Sequence, residues 1–299
     1  MTLSLAMIAK NEEHIIGDCL TSVRGLVDEI VVVDTGSIDH TKLIAKSVGA
    51  KVFDFPWCND FAKARNESLD HCTSDWVLVL DADEAIDSSD HAKILKSINS
   101  DYDALNIPIW NYLPTKDMLF MDKTIHDNPN FGKEIIGGCY EFYGVHNAIR
   151  LFRNIKGVYS GHIHETVDDY FLAHKLRIGE TDAVIHHAGK MLFEKEIAKS
   201  AFYLDLALKE SELNPSTRSW YNVAQQALIA GEPQIVMKAV KSYLQLSGGE
   251  APAVIYLAAG MALRDLGRVE DSIVCFDAIL KTEGNPVAQK QKEISLSKK

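Results

Sequence analysis

Two carboxylates separated by one small residue, Asp81-Ala82-Asp83, follow directly on the apolar run Val77-Leu78-Val79-Leu80, with Glu84 next. In an extended segment, residues two apart face the same side, so Asp81 and Asp83 can converge while Ala82 leaves room above them. Two ionised carboxylates that close repel each other, and a divalent cation relieves the repulsion. Oxygen ligands suit Mg²⁺ or Mn²⁺ rather than zinc. A paired-Asp motif alone is common in surface turns. Here a second acidic strand end lies upstream, at Asp34, followed by Thr35-Gly36-Ser37-Ile38-Asp39. Ligands of open α/β sheets bind outside the carboxyl ends of the strands, so the two acidic ends together suit a nucleoside diphosphate carried on a cation.

The elements that must position these groups alternate. Short β-rich runs are expected at 3–8, 29–34, 51–55, 76–80 and 104–110. Between them, Asn11 can cap a helix with Glu12 and Glu13 in its first turn and an apolar stripe of Ile15, Ile16, Cys19, Leu20 and Val23. Further helices are expected at 41–48, 60–71 and 88–98. This alternation predicts an α/β fold with a mainly parallel sheet flanked by helices. The runs Ile30–Val33 and Val77–Leu80 are continuously apolar, as strands covered on both faces should be. The segment 111–144 is irregular and rich in Gly, Pro and aromatics; it reads as a lid or acceptor-binding loop, or equally as a two-strand excursion without a direct role.

From Phe193 the strand pattern ends. Tyr221, Ala224, Ala227, Leu228 and Gly231 recur as Tyr256, Ala259, Ala262, Leu263 and Gly267, a period near 35 residues. That spacing resembles tetratricopeptide repeats, which are stacked helix pairs; an ordinary helical bundle is the plainer reading. Either way, the expected division is an α/β domain over 1–192 and an all-α domain over 193–299, the latter able to hold an acceptor or a second copy in a homodimer.

Composition narrows the class. The 299 residues are 46% apolar with a formal charge of −11, so the chain can bury a core and is a poor unaided binder of DNA or RNA. Five scattered cysteines, Cys19, Cys58, Cys72, Cys139 and Cys275, make neither a disulfide framework nor a thiolate zinc site, which fits a reducing compartment. No secretory leader pattern opens the sequence, and the apolar run 251–263 is too short to span a bilayer. A soluble, cytoplasmic location is the expectation.

Taken in order, 6–13 (AMIAKNEE), 31–39 (VVVDTGSID) and 76–84 (WVLVLDADE) resemble the opening motifs of family 2 glycosyltransferases. The segment 57–66 (WCNDFAKARN) is similar to the subgroup that includes the S-glycosyltransferases of glycopeptide bacteriocins. So are Arg150-Leu151-Phe152-Arg153-Asn154, His164-Glu165 and Ile185-His186-His187-Ala188-Gly189. The resemblance covers about 3–190. It implies a GT-A nucleotide-diphosphosugar fold, inversion at the anomeric carbon, and a donor bound with Mn²⁺ or Mg²⁺, with a UDP-hexose as donor. Residue by residue, it implies that Asp34 contacts the nucleoside with Asn11 and Glu12 nearby, that Asp83 is the main metal ligand, and that Asp81 contacts ribose or metal. His187 falls where such enzymes place a late metal ligand. The chain departs from the commonest pattern at Thr35 and Asn59, where Asp is frequent.

Three further positions carry open alternatives. Asp60 and Arg65 start a helix whose dipole and guanidinium suit a diphosphate, or they are an ordinary cap and charge pattern. Lone histidines such as His187 are more often satisfied core residues than ligands. Inverting transfer needs a general base, and Glu165 is the best candidate, although a solvated or capping carboxylate would look the same. The acceptor implied is a peptide, a protein side chain or a glycan. Two other classes compete. A nucleotidyltransferase should show a Gly-rich phosphate loop after the first strand, where this chain has Lys10-Asn11-Glu12-Glu13. A non-catalytic sugar-nucleotide scaffold stays open as the other alternative; intact Asp81, Asp83 and Glu165 argue for activity over it.

Overall fold

The computed structural model describes residues 1–113, 125–130, 134, 136, 138–188, 193–282 and 284–298, with backbone only for 193–198. In chain order the first unit contains β1 (Leu3–Ala9), α1 (Ile16–Ser22), β2 (Glu29–Asp34), α2 (Thr41–Ser47), β3 (Lys51–Asp54), α3 (Phe61–Asp70), β4 (Trp76–Val79) and β5 (Glu84–Ile86). Then follow α4 (His91–Ser97), β6 (Ala104–Leu113), β7 (Ile125–Asp127), β8 (Phe142–Arg153), α5 (Asp168–Ala173), β9 (Ile178–Glu180) and β10 (Ile185–His187). The residues from Phe193 form a second compact unit.

Strands β3, β2, β1 and β4 are parallel neighbours, as the continuous apolar runs predict. Both faces of this half are covered. Leu3, Leu5 and Met7 of β1 point into a core shared with Ile16, Cys19 and Leu20 of α1. Ala6 points the other way, into a core with Leu69, Phe152 and Phe171. Beyond β4 the sheet becomes mixed, in the order β4-β8-β6-β10-β5. β8 runs antiparallel to both β4 and β6, β10 is parallel to β6, and β5 is antiparallel to β10. The all-parallel part is thus the first half; the second half uses β6, expected at 104–110, together with the antiparallel β8 and short β5, whose polar residues mask a strand pattern.

Two local expectations need correction. Asn11 does not cap α1: it is exposed with φ 56°, and α1 starts at Ile16 without a side-chain cap. Asp81-Ala82-Asp83 is not extended. Glu84 N donates to Asp81 O at 3.0 Å, closing a turn that carries the chain from β4 to β5. Within 111–144, residues 111–113 complete β6, 125–127 form β7 and 142–144 begin β8. Of the rest of the expected lid, 114–124, 131–133, 135 and 137 lie outside the described residues, as does Gly189.

The second unit contains α6 (Phe193–Leu213), α7 (Thr217–Ile229), α8 (Pro233–Leu246), α9 (Ala253–Asp265), α10 (Val269–Thr282) and α11 (Pro286–Leu296). Each packs on the next, and α7 also touches α9 and α9 touches α11. The starts of α7 and α9, and of α8 and α10, are both 36 residues apart. Gly231 and Gly267 hold equivalent left-handed positions, φ 71° and 78°. Each is followed by the same closing bond, Glu232 N to Ala227 O and Arg268 N to Leu263 O, at 2.9 and 2.8 Å. The glycines therefore carry the structural period, and the Tyr and Ala pairs are displaced from it by one residue. Among the described residues no helix is long and apolar enough to cross a membrane.

One carboxylate ties the sheet's entry together. Glu29 Oε1 accepts from Ser4 Oγ at 2.5 Å, Thr73 N at 2.5 Å and Thr73 Oγ1 at 2.9 Å, while Oε2 takes Lys51 Nζ at 2.8 Å. Burial opposes its ionisation, but these donors prevail and hold the carboxyl down at about 2. A depressed pKa stabilises above the unfolded-state value and is lost as pH falls toward the folded one. We expect Glu29→Gln to cost up to about 3 kcal/mol at neutral pH, with the gap to wild type closing between about pH 4.5 and pH 2. Denaturant melts across that range test this; a constant gap would contradict it.

Candidate active site

The turn after β4 is fixed from three sides. Asp81 N donates to Glu84 Oε2 at 2.8 Å, and Cys19 Sγ donates to Asp81 O at 3.3 Å. Burial, then the charges of Glu84, Asp83 and Asp81, push the Cys19 thiol well up, which keeps it a donor. On the side chain, Asp81 Oδ1 accepts from Arg65 Nη2, and Oδ2 from Arg150 Nη2 at 3.2 Å. Arg150 Nη2 also reaches Glu84 Oε1 at 3.1 Å. Burial works against the Asp81 charge, but Arg65 and then Arg150 outweigh it and hold the carboxyl far below the usual carboxylate range. Glu84 is 1% exposed; burial first, opposed by Arg150 and reinforced by Asp81, raises its carboxyl.

The two aspartates therefore take different partners. Asp81 has both oxygens on arginines, whereas Asp83 Oδ2 lies 3.4 Å from His187 Nε2. The cause is the turn, because the spacing-of-two rule holds only along an extended chain. His187 reaches Asp83 through the sheet: on β10 it stands opposite Glu84 of β5 and opposite Asn111 of β6. Burial opposes a charge on His187, but its hydrogen bond and charge interaction with Asp83, then Glu84 and Asp81, raise its pKa overall. His186 points to the other face, where Nδ1 meets Tyr112 Oη at 2.7 Å. Among the described residues, no three His, Cys, Asp or Glu gather as a metal cage. Among the described residues the pair that faces one another here is one carboxylate, an oxygen donor of the kind Mn²⁺ and Mg²⁺ prefer, and one imidazole, a nitrogen donor that other divalent metals also take. That set fits Mn²⁺ or Mg²⁺ when diphosphate oxygens and water complete the sphere.

Helix α3 delivers Arg65. Asp60 caps it, accepting from Lys63 N at 2.9 Å, so Asp60 is spent on the helix terminus. Five residues on, Arg65 is 5% exposed and its Nε donates to Glu165 Oε1 at 2.9 Å. Burial alone would lower the Arg65 pKa; Asp81 and Glu165 reverse that and raise it. Asn66 exchanges hydrogen bonds with the backbone of Tyr159, both at 3.0 Å, which pins the 159–166 hairpin bearing Glu165 against α3. Arg65 Nη1 is buried without a partner among the described residues.

The second acidic end is an anchored loop. Asp34 is 1% exposed; its Oδ1 accepts from Gly36 N at 3.0 Å and Ser37 N at 2.8 Å, and Oδ2 is buried without a partner among the described residues. Asn11 Oδ1 accepts from Ile38 N at 2.9 Å, and Glu12 N donates to Thr41 Oγ1 at 2.8 Å, so the β1 and β2 ends are stitched together. Thr35 donates its hydroxyl to Ala9 O at 3.3 Å, and Asn59 takes φ 60°.

Sequence reasoning missed Glu84 and Arg150 as site residues. The available signal was an arginine amid Ile149, Leu151 and Phe152, where only a paired charge can be buried. Removing Arg150 leaves Asp81 and Glu84 close with half their counter-charge. We expect Arg150→Met to destabilise the first unit by about 3–5 kcal/mol, and addition of Glu84→Gln to recover part of it. Calorimetry of single and double variants decides; a neutral Arg150→Met would refute the network.

Comparison with known proteins adds the following. The Glycosyl transferase family 2 profile matches residues 4–154, just over half of the chain. A TPR repeat-containing protein of Synechococcus elongatus is 48% identical over 84 residues, 28% of this chain and 21% of that one. An uncharacterized glycosyltransferase of Rickettsia typhi is 45% identical over 85 residues, 28% of each. The SPbeta prophage-derived glycosyltransferase SunS of Bacillus subtilis is 36% identical over 103 residues, 32% of this chain and 23% of that one. The matches thus span about a quarter of these relatives' lengths. Among solved structures, residues 1–349 of S. aureus TarS align over 95% of this chain and 92% of that one, with 15% identity and TM-score 0.46. Glucosyl-3-phosphoglycerate synthase of Mycobacterium tuberculosis, solved with Mn²⁺ and UDP, aligns over 37% and 44%, with 24% identity and TM-score 0.33. On the profile match, the chain belongs to glycosyl transferase family 2.

Proposed function

We propose that the chain transfers a sugar, with inversion, from a nucleoside-diphosphate sugar to a nucleophilic group of an acceptor. The observation that carries this reading is the pair of orphaned buried atoms beside the acidic ends. Among the described residues, Asp34 Oδ2 is an acceptor without a donor, and Arg65 Nη1 is a donor without an acceptor. A buried polar group left unpaired costs free energy, so each is suited to a ligand atom of the opposite kind. A nucleobase N–H would satisfy Asp34, as the uracil of the UDP carrier implied by the family resemblance would, and an oxygen of the bound donor would satisfy Arg65. Asn11 and Glu12 would border the nucleoside through the stitched loops.

Asp83 and His187 would hold Mn²⁺ or Mg²⁺. When bound, the cation supplies positive charge that stabilises the departing diphosphate. Asp81, neutralised by two arginines, is reserved for positioning and for contact with the ribose. Asp60 acts through the α3 terminus. Arg65 fixes the Glu165 side chain, and Glu165 takes the proton of the acceptor. As the acceptor atom bonds to the anomeric carbon, the carbon–oxygen bond to the diphosphate breaks. Its electron pair leaves with the nucleoside diphosphate while the acceptor proton passes to the Glu165 carboxylate.

The helical unit supports a peptide or protein acceptor. α9 packs against both α7 and α11, so the helix pairs stack, and stacked helix pairs build extended concave surfaces of the kind that hold extended chains.

In a panel of nucleotide sugars with Mn²⁺, read by nucleoside-diphosphate release, Asp83→Ala should lose at least about 10²-fold in turnover; unchanged turnover in the folded variant would sink the metal assignment. Glu165→Gln should keep UDP affinity while losing about 10²–10⁴-fold in transfer. Full activity would remove Glu165 as the base.

A further inference from the structure

We infer that Asn111 is a positioning residue that fixes which ring nitrogen of His187 faces Asp83, and thereby prepares His187 Nε2 as a cation ligand; this rests on the metal reading given above.

Asn111 is 1% exposed and stands opposite His187 in the β6–β10 ladder, so their side chains share a face. The orientation of its amide follows from the neighbours. The amide nitrogen lies 3.1 Å from Ile109 O, 3.4 Å from Gly144 O and 2.8 Å from His146 Nδ1. Two of those three are backbone carbonyls, which only accept, so this end of the amide must be the NH₂. The other end, Oδ1, lies 2.8 Å from His187 Nδ1. A carbonyl oxygen only accepts, so His187 Nδ1 must carry the hydrogen. In the neutral ring the lone pair then sits on Nε2, which faces Asp83 Oδ2 at 3.4 Å.

Two lone pairs set face to face at that distance repel unless a positive charge lies between them: a proton on Nε2, which makes the ring an imidazolium paired with Asp83, or a cation that takes its place. A divalent cation bound by both atoms meets that requirement. Metal-binding histidines commonly donate their second ring N–H to a carbonyl or carboxylate, which fixes tautomer and ring angle. Here the carbonyl comes from a buried Asn held by the sheet backbone itself, so His187 cannot turn without breaking the Asn111 contacts.

The wild-type protein provides the first test, independent of any variant. Long-range ¹H–¹⁵N correlation of the histidine side chains at alkaline pH should show His187 with hydrogen on Nδ1 and a bare Nε2, with Mg²⁺ shifting the Nε2 resonance. Hydrogen on Nε2 would overturn the inference. The second test is Mn²⁺ binding read by electron paramagnetic resonance in the presence of UDP. Asn111→Leu, close in size and lacking the acceptor, should weaken Mn²⁺ binding about 10–100-fold and leave the His187 resonances a mixture of tautomers. Wild-type affinity in folded Asn111→Leu, alongside loss of binding in His187→Ala, would refute the role of Asn111 and keep the metal site. Wild-type affinity in His187→Ala would refute both.

Discussion

The site depends on one electrostatic constraint: Asp81, at the end of a buried strand, shares its two oxygens between two arginines drawn from distant parts of the chain. Arg65 comes from α3 and Arg150 from β8. Each arginine also reaches a second carboxylate, Glu165 and Glu84 respectively. A buried guanidinium is tolerated only when paired, so the four partners hold one another in place. Truncating one member would leave charges uncompensated, which makes the arrangement a strong determinant of geometry even where its net contribution to stability is small.

From that constraint the division of labour between the aspartates follows. Both oxygens of Asp81 are on arginines, while Asp83 faces His187, and the proposed cation site is built on that second pair. The turn that separates Asp81 from Asp83 is closed by backbone and side chain of Glu84 together. The same turn directs the chain into β5, whose partner β10 carries His187. Sheet topology and ligand placement are thus one fact seen at two scales. Glu165 is bound into the same unit through Arg65, so the group proposed as base is positioned by the residue that also holds Asp81.

How much of this was legible in the sequence varied with the kind of signal. The parallel half of the sheet could be read, because Val31–Val33 and Trp76–Val79 are buried on both faces and carry no polar residue to obscure the pattern. β8 could not be read from periodicity: along Phe142–Arg153 polar and apolar residues mix, and Arg150 reads as a surface charge until its partners are known. Strand spacing does not apply to Asp81-Ala82-Asp83, because these residues form a turn and not an extended segment. The cap assigned to Asn11 failed for a related reason, since its side chain bonds across to Ile38 N rather than along its own helix. Asp60 was the converse case, where a cap motif and a possible ligand residue coincided and the cap is what forms. Long-range pairings leave little trace in a single sequence, whereas local patterns do.

The central claim is that donor binding runs through a cation held by Asp83 and His187. Calorimetric titration of UDP into the protein, with Mn²⁺ and with a chelator, addresses it most directly. Saturable binding with Mn²⁺ that falls at least about tenfold with chelator, and falls likewise in His187→Ala, is the predicted result. Equal UDP affinity under all three conditions would contradict the account.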